Sequence, residues 1–253
     1  MEEEGELDLR EALATGGEHI DEIAVRATLD RDFLKEVLKY LDDDLWIVQK
    51  NALRVVVEAI QEIPELHESF ITKLMVMLRK SESIPLTQEI ARAFGVLAEV
   101  NPEKVAKVAP AIFANYRVGD PKIKVNMAYV LEEIMRVNPT ILGNVFRDIG
   151  YMLTSKDTTD KLTALNFISA LGGERGGIIY ITPFLPKLFA LLHDRNEIVR
   201  ASTVETLTHV AELNPKLRKL ILSKLEEMND GSELVAKKVR EGLNKLIILE
   251  GSG

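Results

Sequence analysis

The chain has 253 residues, 46% hydrophobic and 28% charged, which excludes wholesale disorder and leaves ample apolar side chain for a core. It holds no Cys, which excludes disulfides, thiolate zinc sites and a thiol nucleophile. The formal charge of −8 is uneven: residues 1 to 44 hold 15 acids and 5 bases, while the remaining 209 hold 25 and 27, so the body is nearly neutral.

No apolar run nears the ~18 residues of a membrane span. The opening Met1-Glu2-Glu3-Glu4 is unlike a basic signal peptide, so the cytosol is the expected compartment. Few Gln and many Glu and Lys suit a thermophile. Residues 1–30 read as two short helices, near Leu7–Ala14 and Glu18–Leu29, split by Gly16-Gly17 and suited to capping the end of a helical stack.

From residue 31 to 249 one pattern recurs six times. Pro64, Pro102, Pro139 and Pro215 lie 38, 37 and 76 residues apart, and three follow an Asn (Asn101, Asn138, Asn214). Asn suits a helix end, and the proline after it can open the next helix. A first helix carries apolar residues at offsets 0, 1, 4, 5, 7 and 8. Phe33, Leu34, Val37, Leu38, Tyr40 and Leu41 do so first, and the pattern restarts at Phe70, Val108, Val145, Phe184 and Leu220. A second helix comes after it with its stripe at offsets 0, 4, 7, 8, 11 and 12. Val48, Ala52, Val55, Val56, Ala59 and Ile60 are the first set, and Val235, Val239, Gly242, Leu243, Leu246 and Ile247 the last. These spacings make one face of an α-helix, and a helix pair with two such faces must stack on its neighbours.

The fourth repeat departs from the pattern. Its second-helix register keeps only Leu165 and Ile168 clearly apolar, and Gly172-Gly173-Glu174-Arg175-Gly176-Gly177 replaces the usual end. An irregular break near 172–177 is expected there, with an early helix stop and a turn in the stack. The predicted fold is an all-α solenoid, a single domain over 1–253: a cap (1–30), six helix-pair repeats (31–249) and a tail (250–253).

The pattern resembles the HEAT and armadillo-like repeat superfamily over nearly the whole chain. The nearest local match is Leu191-Leu192-His193-Asp194 running to Val199-Arg200, and Asp120-Pro121 before Ile123-Lys124 is a looser one. The resemblance implies an Asp–Arg ladder between adjacent repeats. Gln49 and Thr163 at the matching positions of repeats one and four predict a broken one. It also implies partner binding along a concave face lined by the second helices, and it specifies fold rather than function.

Chemistry is sparse. His19, His67, His193 and His209 lack metal spacing and read as surface or turn residues. A di-iron site like that of deoxyhypusine hydroxylase needs several His-Glu pairs, and His67-Glu68 is the single one. HEAT-like alkylpurine DNA glycosylases are basic with an aromatic groove, whereas this pI is near 5.2 and Trp46 is the only Trp. Asp42-Asp43-Asp44 reads as a cap for the helix near Leu45. No enzyme, cofactor or metal site is therefore expected.

If the second-helix stripes face the core, offsets 2, 6, 9 and 13 lie opposite at 100° per residue. They form a ridge that starts basic with Lys50, Arg54 and Arg92, passes Tyr129 and Phe167, and includes Arg136. Arg and Tyr are favoured interface anchors. The expected function is a non-enzymatic scaffold or adaptor for a protein or peptide, docking an acidic or amphipathic segment on that ridge. The acidic residues 1 to 8 could cover the same ridge. The alternative is a nucleic-acid binder that uses the basic start of the ridge and the Lys-rich final repeat. A monomer suffices for either role, and the sequence sets no oligomeric state.

Overall fold

Caps and prolines mark most helix boundaries. The Asp30 carboxylate accepts from the Asp32 and Phe33 amides at 2.9 and 3.1 Å, and Asp120 and Asn196 do the same for later helices. Asn101 closes one helix and caps the next, whose first residue is Pro102. Gly16 and Gly17 turn the chain at φ 75° and 70°, a region that disfavours side chains.

The computed structural model describes residues 8–172 and 177–251, and every regular element among them is helical. They form two compact units, parted between Leu142 and Gly143. The first holds α1 (Leu9–Thr15), α2 (Glu18–Leu29), α3 (Arg31–Lys39), α4 (Trp46–Ile60), α5 (His67–Lys80), α6 (Ile84–Val100), α7 (Pro102–Val118) and α8 (Pro121–Val137). The second holds α9 (Gly143–Met152), α10 (Thr158–Gly172), α11 (Gly177–Ile181), α12 (Leu185–Leu191), α13 (Glu197–Leu213), α14 (Pro215–Glu226) and α15 (Glu233–Gly251).

In the first unit α2, α4, α6 and α8 stack in chain order, with α3, α5 and α7 behind them. In the second, α10, α13 and α15 stack in order, backed by α9, α12 and α14. The α1–α2 segment expected as a cap is a shortened helix pair, because α2 lies in the second-helix layer against α4.

The stripes are buried as their spacing requires: Val48, Ala52, Val55, Val56, Ala59 and Ile60 are all within 1% of complete burial. Burial goes further than the stripes, however. Leu53 and Val57, on the flank of α4, are as buried as the stripe itself. A second helix is flanked by the second helices of both neighbours, so it leaves only a narrow ridge to solvent. Two stripe members of the last repeat behave oppositely: Leu220 is 46% exposed and Ile247 53%.

Stacking also requires partners for helix-end carbonyls. Asn51 of α4 donates to Leu13 O of α1 at 2.7 Å. Asn126 of α8 uses both amide hydrogens on Leu78 O and Ser81 O, at the end of α5, at 2.9 and 3.0 Å. The Gly-rich break is described only at its edges. Residues 173–176 lie outside the described residues, α10 continues to Gly172, and α10 stacks directly on α13.

Candidate functional site

On α4 the solvent-facing line runs Trp46, Lys50, Arg54, Glu58, each four residues from the last, so one helical edge carries all four. Trp46 is 45% exposed, and the Lys50 ammonium lies 5.9 Å from its ring centre. Arg54 is exposed and has no ion pair among the described residues. The corresponding line on α6 holds Ile84, Gln88 and Arg92, and that on α8 holds Val125, Tyr129 and Glu133. Ile84 is 58% exposed and Val125 50%, so Trp46, Ile84 and Val125 place one exposed apolar side chain on each successive second helix. The predicted ridge missed Trp46 and Ile84, because offset −2 precedes the first stripe residues Val48 and Leu86, whereas Val125, at offset 2 from Ile123, belongs to it. The signal was nonetheless present in sequence as an apolar residue just outside the stripe.

Arg92 is not a free cation. Its Nε donates to Glu89 at 2.6 Å and its Nη1 to Glu58 at 3.2 Å. Burial alone would lower its pKa, but the bonds and charge of Glu89 and Glu58 hold it above the ordinary value. Between α2, α4 and α6 the side chains frame a cleft of about 570 Å³. Ile20, Ala24 and Val25 form its apolar wall, opposite Arg54, Glu58, Glu89 and Arg92. The expected basic start of the ridge is therefore neutralised at Arg92 only: Glu58 and Glu89 occupy offsets 10 and 3, which the four-offset ridge left out.

Arg136 is exposed and bonded to Glu133, with Nε to Oε2 at 2.9 Å. Tyr129 is half-buried on the same helix. Phe167 is a correction: it is 5% exposed and so is not part of any solvent ridge. In α10 Ala164, Leu165, Phe167 and Ile168 are all buried. Apolar residues around so much of the circumference give no single-face register from which to place Phe167 outside. It lies in the second unit, whereas Lys50, Arg54, Arg92, Tyr129 and Arg136 share the first.

Three further expectations change. The gap predicted in the ion ladder at Thr163 is filled by Lys161, whose Nζ reaches Asp194 at 2.5 Å. The acidic triplet serves mainly between repeats: Arg10 of α1 donates to Asp43 at 2.7 and 2.9 Å and to Asp44 at 2.8 Å, and Asp42 pairs with Lys73. The N-cap of α4 is Leu45, with no side-chain cap. His67 is buried at 1% exposure rather than on the surface, with Nε2 2.9 Å from Ile60 O and Nδ1 3.2 Å from Asn101 Nδ2.

About half of the cations in the Lys-rich final repeat are paired, while Lys216, Lys219 and Arg240 have no ion pair among the described residues and Lys237 lies 3.9 Å from Glu241. Lys224 pairs with Glu227, Lys238 with Glu205, Lys245 with Glu212 and, at 3.7 Å, Arg218 with Glu250. Counterion release on a phosphate backbone requires unpaired cations. Residues 1–7, expected to lie over the ridge, are outside the described residues.

Within each unit, helix pairs stacked in chain order with ion pairs one repeat apart make an all-α array of HEAT/armadillo-like helical repeats. Residues 42–86 match a HEAT-like family described as the repeat of uncharacterized protein PH0542. Among curated proteins none matches. The chain is similar to Kap95p in its structure with RanGDP, at TM-score 0.55 and 14% identity, covering 90% of this chain and 31% of Kap95p. An archaeal HEAT-like repeats protein from Thermococcus onnurineus NA1 aligns at TM-score 0.43 and 16% identity, over 95% of this chain and 96% of that one. A designed armadillo repeat protein in complex with the peptide (KR)4 aligns at TM-score 0.41 and 17% identity, over 84% and 99%. At 14% identity the likeness to Kap95p is one of fold alone.

Proposed function

We propose that this chain is a non-enzymatic cytosolic scaffold that binds a protein segment across the second helices α4, α6 and α8. The observation that carries the reading is the exposed row of Trp46, Ile84 and Val125 running beside Lys50 and the unpaired Arg54. Neighbouring helices lie ~8–10 Å apart, so the row spans roughly 20 Å, about the length of a short extended or helical segment. The fitting partner is amphipathic: apolar side chains cover the row while carboxylates face Arg54 and Lys50. Arg92, already bridged to Glu58 and Glu89, positions that cleft wall rather than anchoring the partner. Kap95p, which shares the fold, binds RanGDP, and this supports a protein as partner.

The test is affinity capture from lysate of the source organism with the wild-type chain and with a Trp46→Ala, Arg54→Glu, Tyr129→Ala variant. Partners retained by the wild type should be lost by the variant at unchanged thermal stability. An identical set of captured proteins would sink the assignment of this face. Retention in salt decides the alternative: recovery of nucleic acid that disappears steeply between low and moderate salt would favour a nucleic-acid binder.

A further inference from the structure

We propose that the first-helix layer of the first unit carries an anchor pocket for one apolar side chain of a partner polypeptide. The fitting residue is aromatic or branched, with a carboxylate on one side of it and a cation on the other. The pocket lies between α3 and the turn that joins α4 to α5. Leu34, Leu38, Ile63 and Leu66 line it, with Arg31, Lys35 and Glu65 at its mouth. Its volume is about 140 Å³. A dry cavity of ~150 Å³ with a similar lining admits benzene, so the space matches the ring of a Phe or the branched end of a Leu. Leu34 and Ile63 are buried and form the floor, while Leu38 and Leu66 are half-buried at the opening.

The punctuation of the repeat changes at this point. Pro102, Pro139 and Pro215 each follow an Asn, whereas Pro64 follows Ile63. Asn101 accepts from the Lys104 amide at 3.4 Å and so caps α7. Ile63 cannot do this, and both the turn Pro64–Leu66 and α5 begin without a side-chain cap. A cap is given up and apolar surface takes its place, the kind of local departure that collects at functional sites.

The two edges of the mouth carry opposite charge. On α3 stand Arg31, Lys35 and, one turn further on, Lys39, against Asp32, which bonds Lys35 at 2.8 Å. Glu36 lines a separate cleft with Ile23 and Arg26 of α2. The turn contributes Glu62 and Glu65, and beyond it Glu68 is held by Lys104 and Lys73 by Asp42. The α3 edge is therefore net cationic and the turn edge acidic, and Arg31 bridges them to Glu65 at 3.0 Å. Both partners of that bridge are exposed, so exchanging it for a partner's charges costs little. An apolar pocket inside a charged rim has the anatomy of an interface hot spot. The rim also sets direction: the partner's carboxylate lies over α3 and its cation over the turn.

Random heptapeptides displayed on phage and selected on the full chain should enrich one aromatic or branched residue between an acidic and a basic one. The best of them, synthesised, should bind Leu66→Glu roughly tenfold more weakly and Lys35→Glu roughly threefold more weakly than the wild type. The Lys35 side chain is 72% exposed, so Lys35→Glu keeps the test decisive should Leu66→Glu lower the melting temperature. A Trp46→Ala, Arg54→Glu chain should bind the same peptide as the wild type does, which separates this pocket from the second-helix face. Enrichment of no sequence, a consensus without the apolar residue, or affinity lost with Arg54→Glu and kept with Leu66→Glu and Lys35→Glu overturns the proposal. Leu and Ile methyl signals of the pocket that shift with protein concentration alone would assign it to a second copy and overturn it as well.

Discussion

Arg200 clasps the carboxylate of Asp230 with two hydrogen bonds, Nε at 2.6 Å and Nη2 at 2.9 Å, tying α13 to the turn that precedes α15. Both side chains are largely buried, at 17% and 12% exposure, and Arg200 also donates to Asp194 O at 2.9 Å. With Lys161 to Asp194 one repeat earlier, the contact forms a ladder within the second unit.

The Asp230 carboxyl is held below the usual carboxylate range, first by the Arg200 hydrogen bond and then, against burial, by the Ser232 amide. A depressed folded-state pKa means its contribution is complete above the unfolded value of ~3.9 and is lost as pH falls through the folded value. Asp230→Asn should cost ~1.5–3 kcal/mol near neutral pH. Urea melts of both chains should converge in acid, and a gap that persists unchanged at the lowest pH would show that the carboxylate is not what stabilises this junction.

His67 joins three helices. Its Nε2–H donates to Ile60 O at the end of α4, and its Nδ1 accepts from Asn101 at the end of α6. His67→Leu keeps the volume but removes one donor from Ile60 O, which retains the Ile63 amide, and the acceptor of the half-buried Asn101 amide, so chemical denaturation should record a loss of roughly 1–2 kcal/mol.

Asn126 is a second such junction. Besides the two carbonyls at the end of α5, its Oδ1 lies 3.2 Å from the Thr87 hydroxyl. Asn126→Leu should destabilise by about 2–4 kcal/mol, because helix-end carbonyls lose their donors inside the stack. A loss below about 0.5 kcal/mol would mean that these carbonyls find other partners.

Gly242 lets α15 approach α13. A Cβ there would lie 2.5 Å from the buried Thr208 Oγ1 and 3.5 Å from Leu225. Gly242→Ala should therefore cost roughly 1–3 kcal/mol by overpacking, and much of that should return in the Gly242→Ala, Thr208→Ala double variant. Strict additivity in the cycle would show that Thr208 is not the obstacle.

The repeat and its cores were legible because helical periodicity is local: burial of Val48, Ala52 and Val55 follows from spacing along one helix. The site was legible only in part. Arg54 and Tyr129 fall on the solvent side of their helices as spacing requires. Phe167 does not, because α10 is apolar around most of its turn and periodicity there has no single phase. The neutralisation of Arg92 by Glu58 was illegible, because the two lie 34 residues apart and meet through the stacking of α4 on α6.

The sequence by itself determined that this is a stack of helix pairs and where each pair begins, since caps, prolines and apolar spacing act within a few residues. Only the tertiary structure decided which charges are already matched, which helix-end carbonyls Asn51 and Asn126 satisfy, and that Ile247 stays open while Ile60 is covered. The physical reason is that each of these depends on the register between neighbouring helices, a quantity set by packing across a repeat and carried by no single stretch of chain.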